Sequence, residues 1–185
     1  IFGQPAEVPQ NEATPLAPVN PYGCAKAFAT QIVQVYRKTF GFFACNAIMY
    51  NHESPRRGEN FVTRKICRSA AAIHLGLEHE VHLGNLAAQR DWGDARDYVR
   101  AMWLMLQQPE PGDFVLATGK LHTVEDVVRT AFETLGLDWK KHVVMDPRFQ
   151  RPTEPTRLVG DAAKAARVLG WKPTTTFEAL IQEMT

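Results

Sequence analysis

Residues Phe42 to Tyr50 form a short run that is apolar at almost every position, Asn46 excepted. A strand without polar alternation has to be covered on both faces, and helices are the usual cover. The surrounding sequence supplies them. From Pro21 onward, Ala25, Phe28, Ala29, Ile32, Val33 and Tyr36 recur at i, i+3, i+4 and i+7, and Gly41 is placed to stop the helix. Helical periodicity returns over Phe61 to Leu77. It returns again over Asp94 to Gln107, with Ala95, Tyr98, Val99, Met102 and Leu106 on one face. Thr123-Val124-Glu125-Asp126 resembles a capping box with Asp in the place of Glu or Gln, so a helix should run from Thr123 to Leu135. Two shorter helices are expected at Asp161 to Leu169 and Phe177 to Met184. Further strands are expected near Val81, over Asp113 to Ala117 and near Val143. Ile1 to Gly3 reads as the end of another strand, and the Pro-rich stretch Gln4 to Asn20 as a loop. Strands alternating with helices predict an α/β protein.

Bulk properties exclude several function classes. The chain has 185 residues, 45% apolar and 22% charged, as in globular proteins of about one domain. A net charge of +1 gives no long-range field for nucleic acid or an anionic membrane, so neither is an expected partner. The longest apolar stretch, near Ala70, is broken by His74, well short of the ~20 residues of a membrane span. Cys24, Cys45 and Cys67 are odd in number and lack C-x-x-C spacing. That usage argues against zinc or a disulfide framework and for a reducing, cytoplasmic setting; no signal peptide is evident. Asp146, Asp161 and the Glu125-Asp126 pair show no metal-ligand spacing and read as caps and surface charge. Trp92, Trp103 and Trp171 read as packing residues.

Chemistry enters with Pro21-Tyr22-Gly23-Cys24-Ala25-Lys26. Tyr22 and Lys26 stand four residues apart, which stacks them on one face of a helix. A phenol of reference pKa about 10 is a poor base at neutral pH. A neighbouring ammonium favours the phenolate and so makes a proton acceptor for an oxidisable alcohol. The same spacing also arises where a buried Tyr happens to precede a solvated Lys. Three further segments narrow the choice: Asn51-His52-Glu53-Ser54-Pro55-Arg56-Arg57-Gly58-Glu59-Asn60-Phe61-Val62-Thr63-Arg64-Lys65, then Leu83-Gly84-Asn85-Leu86 through Arg90-Asp91-Trp92-Gly93, and Arg151-Pro152-Thr153-Glu154. In this order, and together with the Tyr-Lys segment, they resemble the GDP-mannose 4,6-dehydratase family of extended short-chain dehydrogenase/reductases.

The resemblance carries definite expectations. It implies an α/β fold: the C-terminal part of a Rossmann-like parallel sheet interleaved with a smaller substrate-binding α/β portion. Residues 1–50 would be the remainder of an NADP-binding domain. Residues 51–185 would be mainly the sugar-nucleotide-binding portion, interleaved with the last sheet strands at about 90–120. The Gly-rich turn that meets a dinucleotide pyrophosphate is not found; Gly23, Gly41 and Gly58 stand isolated. In the family that turn lies upstream of the Tyr, and a Thr and a Glu just before the position of Ile1 complete the catalytic set. The chain is therefore expected to be the C-terminal half of an enzyme and inactive on its own.

Residue by residue, the family pattern makes Tyr22 the base that takes the C4 hydroxyl proton while hydride leaves for NADP. Lys26 would hold the nicotinamide ribose and lower the phenol pKa. His52 and Arg57 match positions that contact NADP. Asn51, Lys65, Arg90, Arg151 and Glu154 match positions that hold GDP-mannose, whose dehydration gives GDP-4-keto-6-deoxymannose. The Arg-rich loop around Arg57 reaches a neighbouring subunit in the family, implying a homo-oligomer, a tetramer there. Each residue has a plainer counterpart: a carbonyl-capping imidazole for His52, a solvated pair for Arg56 and Arg57, surface charge for the rest. Two other functions stay open at this level: an extended reductase acting on a UDP-sugar as epimerase or dehydratase, and a sugar-nucleotide-binding module without turnover.

Overall fold

Helix α1 (Pro21–Phe40) starts where Asn20 accepts the Gly23 N–H at 2.8 Å, with Pro21 in the first turn. It ends at Gly41, whose φ of 68° is left-handed. The computed structural model describes residues 1–149 and 157–185. Strands β1 (Asn46–Met49) and β2 (Asn51–Glu53) are separated only by Tyr50. β2 runs parallel to β5 (Trp92–Asp94), and β1 runs parallel to β6 (Asp113–Leu116). One length of chain thus leaves Leu116 at Met49 and meets Trp92 at Asn51. Helix α3 (Ala95–Met105) connects β5 to β6. β3 (Val81–Leu83) pairs in parallel with β8 (Val143–Met145), and β4 (Gln89–Arg90) pairs antiparallel to β7 (His122–Thr123).

Helices α2 (Val62–His74), α4 (Val124–Thr134) and α6 (Phe177–Met184) pack around the largest apolar cluster. Ile66, Ala70, Val127, Phe132, Leu180 and Ile181 meet there with Trp92 and Leu83. Burying each large side chain contributes about 1.5–3 kcal/mol. A second cluster sets Tyr98, Ala101 and Met105 of α3 against Phe114 and Leu116 of β6, Leu169 of α5 (Ala163–Leu169), and Trp171. A third joins Phe2, Tyr50, Val115 and Ala117. Asp97 binds the C-terminal segment to α3: its carboxylate accepts from Thr174 N, Thr174 Oγ1 and Thr175 N at 2.6–3.0 Å.

The α/β architecture with parallel pairing is as the pattern predicts, and so are the capping box at Thr123 and Asp126 and the stop at Gly41. Several local expectations need correction. β1 begins at Asn46, not Phe42; Phe42 instead packs back on Tyr36 and Phe40 of the last turns of α1. Burial on both faces is found instead in β5, buried at every position, and in β6, whose Phe114, Val115 and Leu116 are buried. On α1 the apolar face is exposed (Phe28 is 65% accessible), and the buried residues are the small Gly23 and Ala27. On α3 the buried side is Asp97, Tyr98, Ala101 and Met105, because that side faces β6 and α5. Val99, Met102 and Leu106 are exposed. Trp103 is 60% exposed rather than packed. Ile1 to Gly3 is not a strand: Gly3 has a φ of 57°, and Phe2 turns into the third cluster. Asp126, Asp161 and Asp146 all cap as expected, Asp146 Oδ1 accepting from Arg148 N at 2.9 Å, although Asp146 is buried rather than surface charge. No helix among the described residues is long and apolar enough to cross a membrane.

Candidate functional site

The first turns of α1 carry Tyr22 and Lys26. The helix cap at Asn20 fixes where the helix begins, so the i, i+4 spacing becomes a contact: Lys26 Nζ lies 5.5 Å from the Tyr22 ring centroid. Tyr22 is 73% exposed. The phenol is therefore accessible to a ligand, with the Lys26 ammonium beside it.

A second group is built where β2 leaves the sheet. His52 pairs with Gly93 across β2 and β5. Its Nδ1 lies 3.0 Å from the Tyr50 carbonyl, which can only accept, so Nδ1 carries the proton and Nε2 is left for another partner. Gly93 has to be small there, since a Cβ would come within 2.7 Å of the Tyr98 hydroxyl. Glu53 follows, buried, accepting from Thr63 Oγ1 at 2.6 Å; Arg57 Nε stands 3.2 Å from the same carboxylate oxygen. The Arg57 guanidinium carbon lies over the Phe61 ring, 3.6 Å from its centroid. Burial pushes the Glu53 carboxyl above the usual range, against the pull of Thr63, Arg57 and His52. The carbonyl-capping geometry of the plainer reading thus holds for one nitrogen of His52. Arg57, in contrast, is partly buried and paired with Glu53, not a solvated partner of Arg56.

A third group surrounds a cleft of about 340 Å³ lined by Glu59, Asn60, Lys65, Arg68 and Phe149. Lys65 Nζ donates to the His82 carbonyl at 2.6 Å and sits 3.8 Å from the Phe149 ring centroid. Burial lowers the Lys65 pKa, with Asp146 opposing. Arg68 reaches Glu78 at 3.3 Å. The arrangement offers two cations, an amide, an aromatic face and the Glu59 carboxylate, which stands 3.9 Å from Arg68 Nε.

The other expected positions are more scattered. Asn51 is exposed on β2 opposite Trp92, and Arg90 lies on β4 opposite His122, with Nη1 on the Gln89 carbonyl at 2.6 Å. Arg151 and Glu154 lie outside the described residues. The structure therefore brings Tyr22 to Lys26, and His52 to the Glu53–Arg57 pair, while Lys65 heads a cleft of its own. Glu53, Thr63, Asn60, Arg68 and Phe149 were not singled out by pattern. The usable signals were Glu53's place at a strand end before a Pro-containing turn, and Phe149's place two residues before Arg151.

The family profile of GDP-mannose 4,6 dehydratase matches residues 1–184. GDP-mannose 4,6 dehydratase 2 of Arabidopsis thaliana is 54% identical over 95% of this chain and 47% of its own length. GDP-mannose 4,6 dehydratase of Homo sapiens is 48% identical over 100% of this chain and 54% of its own. The chain spans about half the length of these curated relatives. Among solved structures, RMD from Pseudomonas aeruginosa complexed with NADPH superposes with a TM-score of 0.90. It is 24% identical over 99% of this chain and 61% of that one, a likeness that speaks to the fold alone. With the profile matched from end to end, the chain belongs to the GDP-mannose 4,6 dehydratase family.

Proposed function

We propose that the gene product carrying this chain is a GDP-mannose 4,6-dehydratase that forms GDP-4-keto-6-deoxymannose using NADP. The observation that carries the reading is the Tyr22–Lys26 pair, held 5.5 Å apart on an exposed helix face. It is supported by relatives of that name at about half identity across the chain. In this reading Tyr22 accepts the C4 hydroxyl proton, and Lys26 stabilises the phenolate and holds a ribose hydroxyl. The donor set fits an anionic dinucleotide: the Arg57 guanidinium for a phosphate, and His52 Nε2 for a polar group. NADP, when bound, supplies the acceptor for the C4 hydride and returns it at C6, so that the net change is loss of water.

Lys65, with Arg68 beside it, would receive the diphosphate of GDP-mannose. Asn51, Arg90, Arg151 and Glu154 are proposed as its further contacts. Residues 1–50 are assigned to the cofactor domain and residues 51–185 mainly to the sugar nucleotide, with interleaving at about 90–120. A cytosolic homo-oligomer, tetrameric as the family pattern implies, completes the proposal. The chain by itself is proposed to lack turnover, because it carries no Gly-rich pyrophosphate turn.

The test is to supply the complete gene product with GDP-mannose or UDP-glucose and to follow loss of one water by mass spectrometry. Water loss from GDP-mannose alone is expected. Turnover of UDP-glucose alone would replace this reading with that of a UDP-sugar enzyme. Binding of GDP-mannose without turnover would reduce the protein to a binding module.

A further inference from the structure

Glu53 is 2% exposed at the end of β2, and a single carboxylate oxygen of it faces two elements at once. Thr63 Oγ1, in the first turn of α2, donates to Oε2 at 2.6 Å, and Arg57 Nε in the preceding loop stands 3.2 Å from the same atom. We propose that Glu53 is a positioning residue: it fixes the Arg57 guanidinium, through the oxygen it shares with Thr63, in the orientation that grips a phosphate of the dinucleotide. This rests on the reading above that Arg57 meets the cofactor.

Three observations converge on it. Between β2 and α2 the chain makes a turn in which Arg57 N donates to the Ser54 carbonyl at 2.9 Å, which fixes the Arg57 backbone. Among the described residues, the Arg57 side chain meets Glu53 and the Phe61 ring, which define its direction. The Arg57 Nε–H is buried and makes an ion pair with Glu53 without an aligned hydrogen bond, so the guanidinium is held by charge and stacking and keeps its other N–H groups for a ligand. Stability does not account for the carboxylate. A buried charge is costly, and a neutral group of the same shape is often as good or better for the fold. Burial raises the Glu53 pKa, meaning that the folded state favours the neutral carboxyl. Ionising it as pH rises past its unfolded value therefore takes stability away. What that carboxylate oxygen meets is Thr63 Oγ1 and the Arg57 guanidinium.

The test uses Glu53→Gln in the complete gene product. The amide can still accept from Thr63 and fills the same volume, but has no charge for Arg57. Titration with NADP is expected to show affinity weakened by about tenfold, with a thermal midpoint equal to or above that of the parent. Arg57→Ala should weaken NADP to a similar degree, and the double variant should lose little more, since the two residues act through one contact. Normal NADP affinity in Glu53→Gln, with Arg57→Ala weakened, overturns the proposal and leaves the Arg57 reading standing. Fully additive losses overturn it as well, because Glu53 would then act independently of Arg57. Normal affinity in Arg57→Ala overturns the cofactor reading of that residue and the proposal together. Should Glu53→Gln fail to fold, Glu53→Asp keeps the charge but withdraws the oxygen by one methylene. NADP binding by Glu53→Asp at the parent's affinity counts against the proposal, and a tenfold loss supports it.

Discussion

The Lys65 ammonium lies 3.8 Å from the centroid of the Phe149 ring while donating to the His82 carbonyl at 2.6 Å. An aliphatic chain of four methylenes is thus fixed at its charged end, and the cation faces a cleft of about 340 Å³. Fixing Lys65 before a ligand arrives removes an ordering cost of about 0.5–1.5 kcal/mol from binding.

Lys65→Met should therefore weaken GDP-mannose binding by about tenfold or more without lowering the thermal midpoint, because the ammonium is disfavoured where it sits. Burial, opposed by Asp146, lowers the Lys65 pKa from its ordinary 10.5. Affinity should accordingly fall on the alkaline side before an ordinary lysine deprotonates. Lys65→Arg, which stays charged, should remove that alkaline limb. Calorimetric titration across pH checks both. A limb unchanged in Lys65→Arg would assign the titration to another group.

Tyr22→Phe removes one hydroxyl from a side chain that is 73% exposed, so the fold should be indifferent, within about 0.5 kcal/mol. Turnover of GDP-mannose should fall by a factor on the order of 100 or more, the usual worth of a positioned acid–base group. GDP-mannose affinity should stay close to that of the parent. A kcat within threefold of the parent, with binding intact, would rule out Tyr22 as the base.

How far these sites could be seen in the sequence depended on the physics behind each. Tyr22 and Lys26 were legible because helical spacing converts directly into proximity once Asn20 and Pro21 set the start. The α4 start was legible for the same reason, since Thr123 and Asp126 cap each other locally. The exposed side of α1 was not legible: periodicity identifies an apolar face but not whether anything lies against it. On α3 the stripe was misplaced because Asp97, a charged residue, belongs to the buried side, where Thr174 and Thr175 satisfy it. Glu53 and Asp91 escaped for a similar reason. A carboxylate is ordinarily a surface group, and only donors brought from distant sequence make burial tolerable.

Asp91 shows what such donors are worth. It is fully buried, and its two oxygens accept from Thr118 N at 2.9 Å, Thr118 Oγ1 at 2.6 Å, Gly119 N at 3.0 Å and Gly160 N at 3.3 Å. These contacts bind the start of β5 to the turn after β6 and to the segment entering α5. Asp91→Asn turns one acceptor into a donor facing other donors. It should cost about 2–4 kcal/mol, as expected when buried N–H groups lose their partners. Urea unfolding measures it. A loss below about 0.5 kcal/mol would mean that the network re-forms around the amide.

Asp113 holds α1 to the sheet. Its carboxylate accepts from Arg37 Nη2 at 2.7 Å, Gln34 Nε2 at 2.7 Å and Asn46 Nδ2 at 2.8 Å, joining the helix to β1 and β6. Since α1 buries only Gly23 and Ala27, polar contacts carry much of its attachment. Burial tends to raise the Asp113 pKa, but the hydrogen bonds from Arg37, Gln34 and Asn46 outweigh it, and the net shift is downward. The folded state thus favours the ionised form. The stability it contributes is fully present above the unfolded pKa of about 3.9 and is lost as pH falls through the lower folded value. Asp113→Asn should then be destabilised by about 1–3 kcal/mol at neutral pH, with the difference from the parent shrinking below about pH 3. Amide exchange should quicken along α1 in the variant before it does in α2 or α4, whose residues fill the main core. Equal deficits at neutral and acid pH would show that Asp113 acts through its shape alone. Uniform exchange would show that α1 is held by something other than this carboxylate.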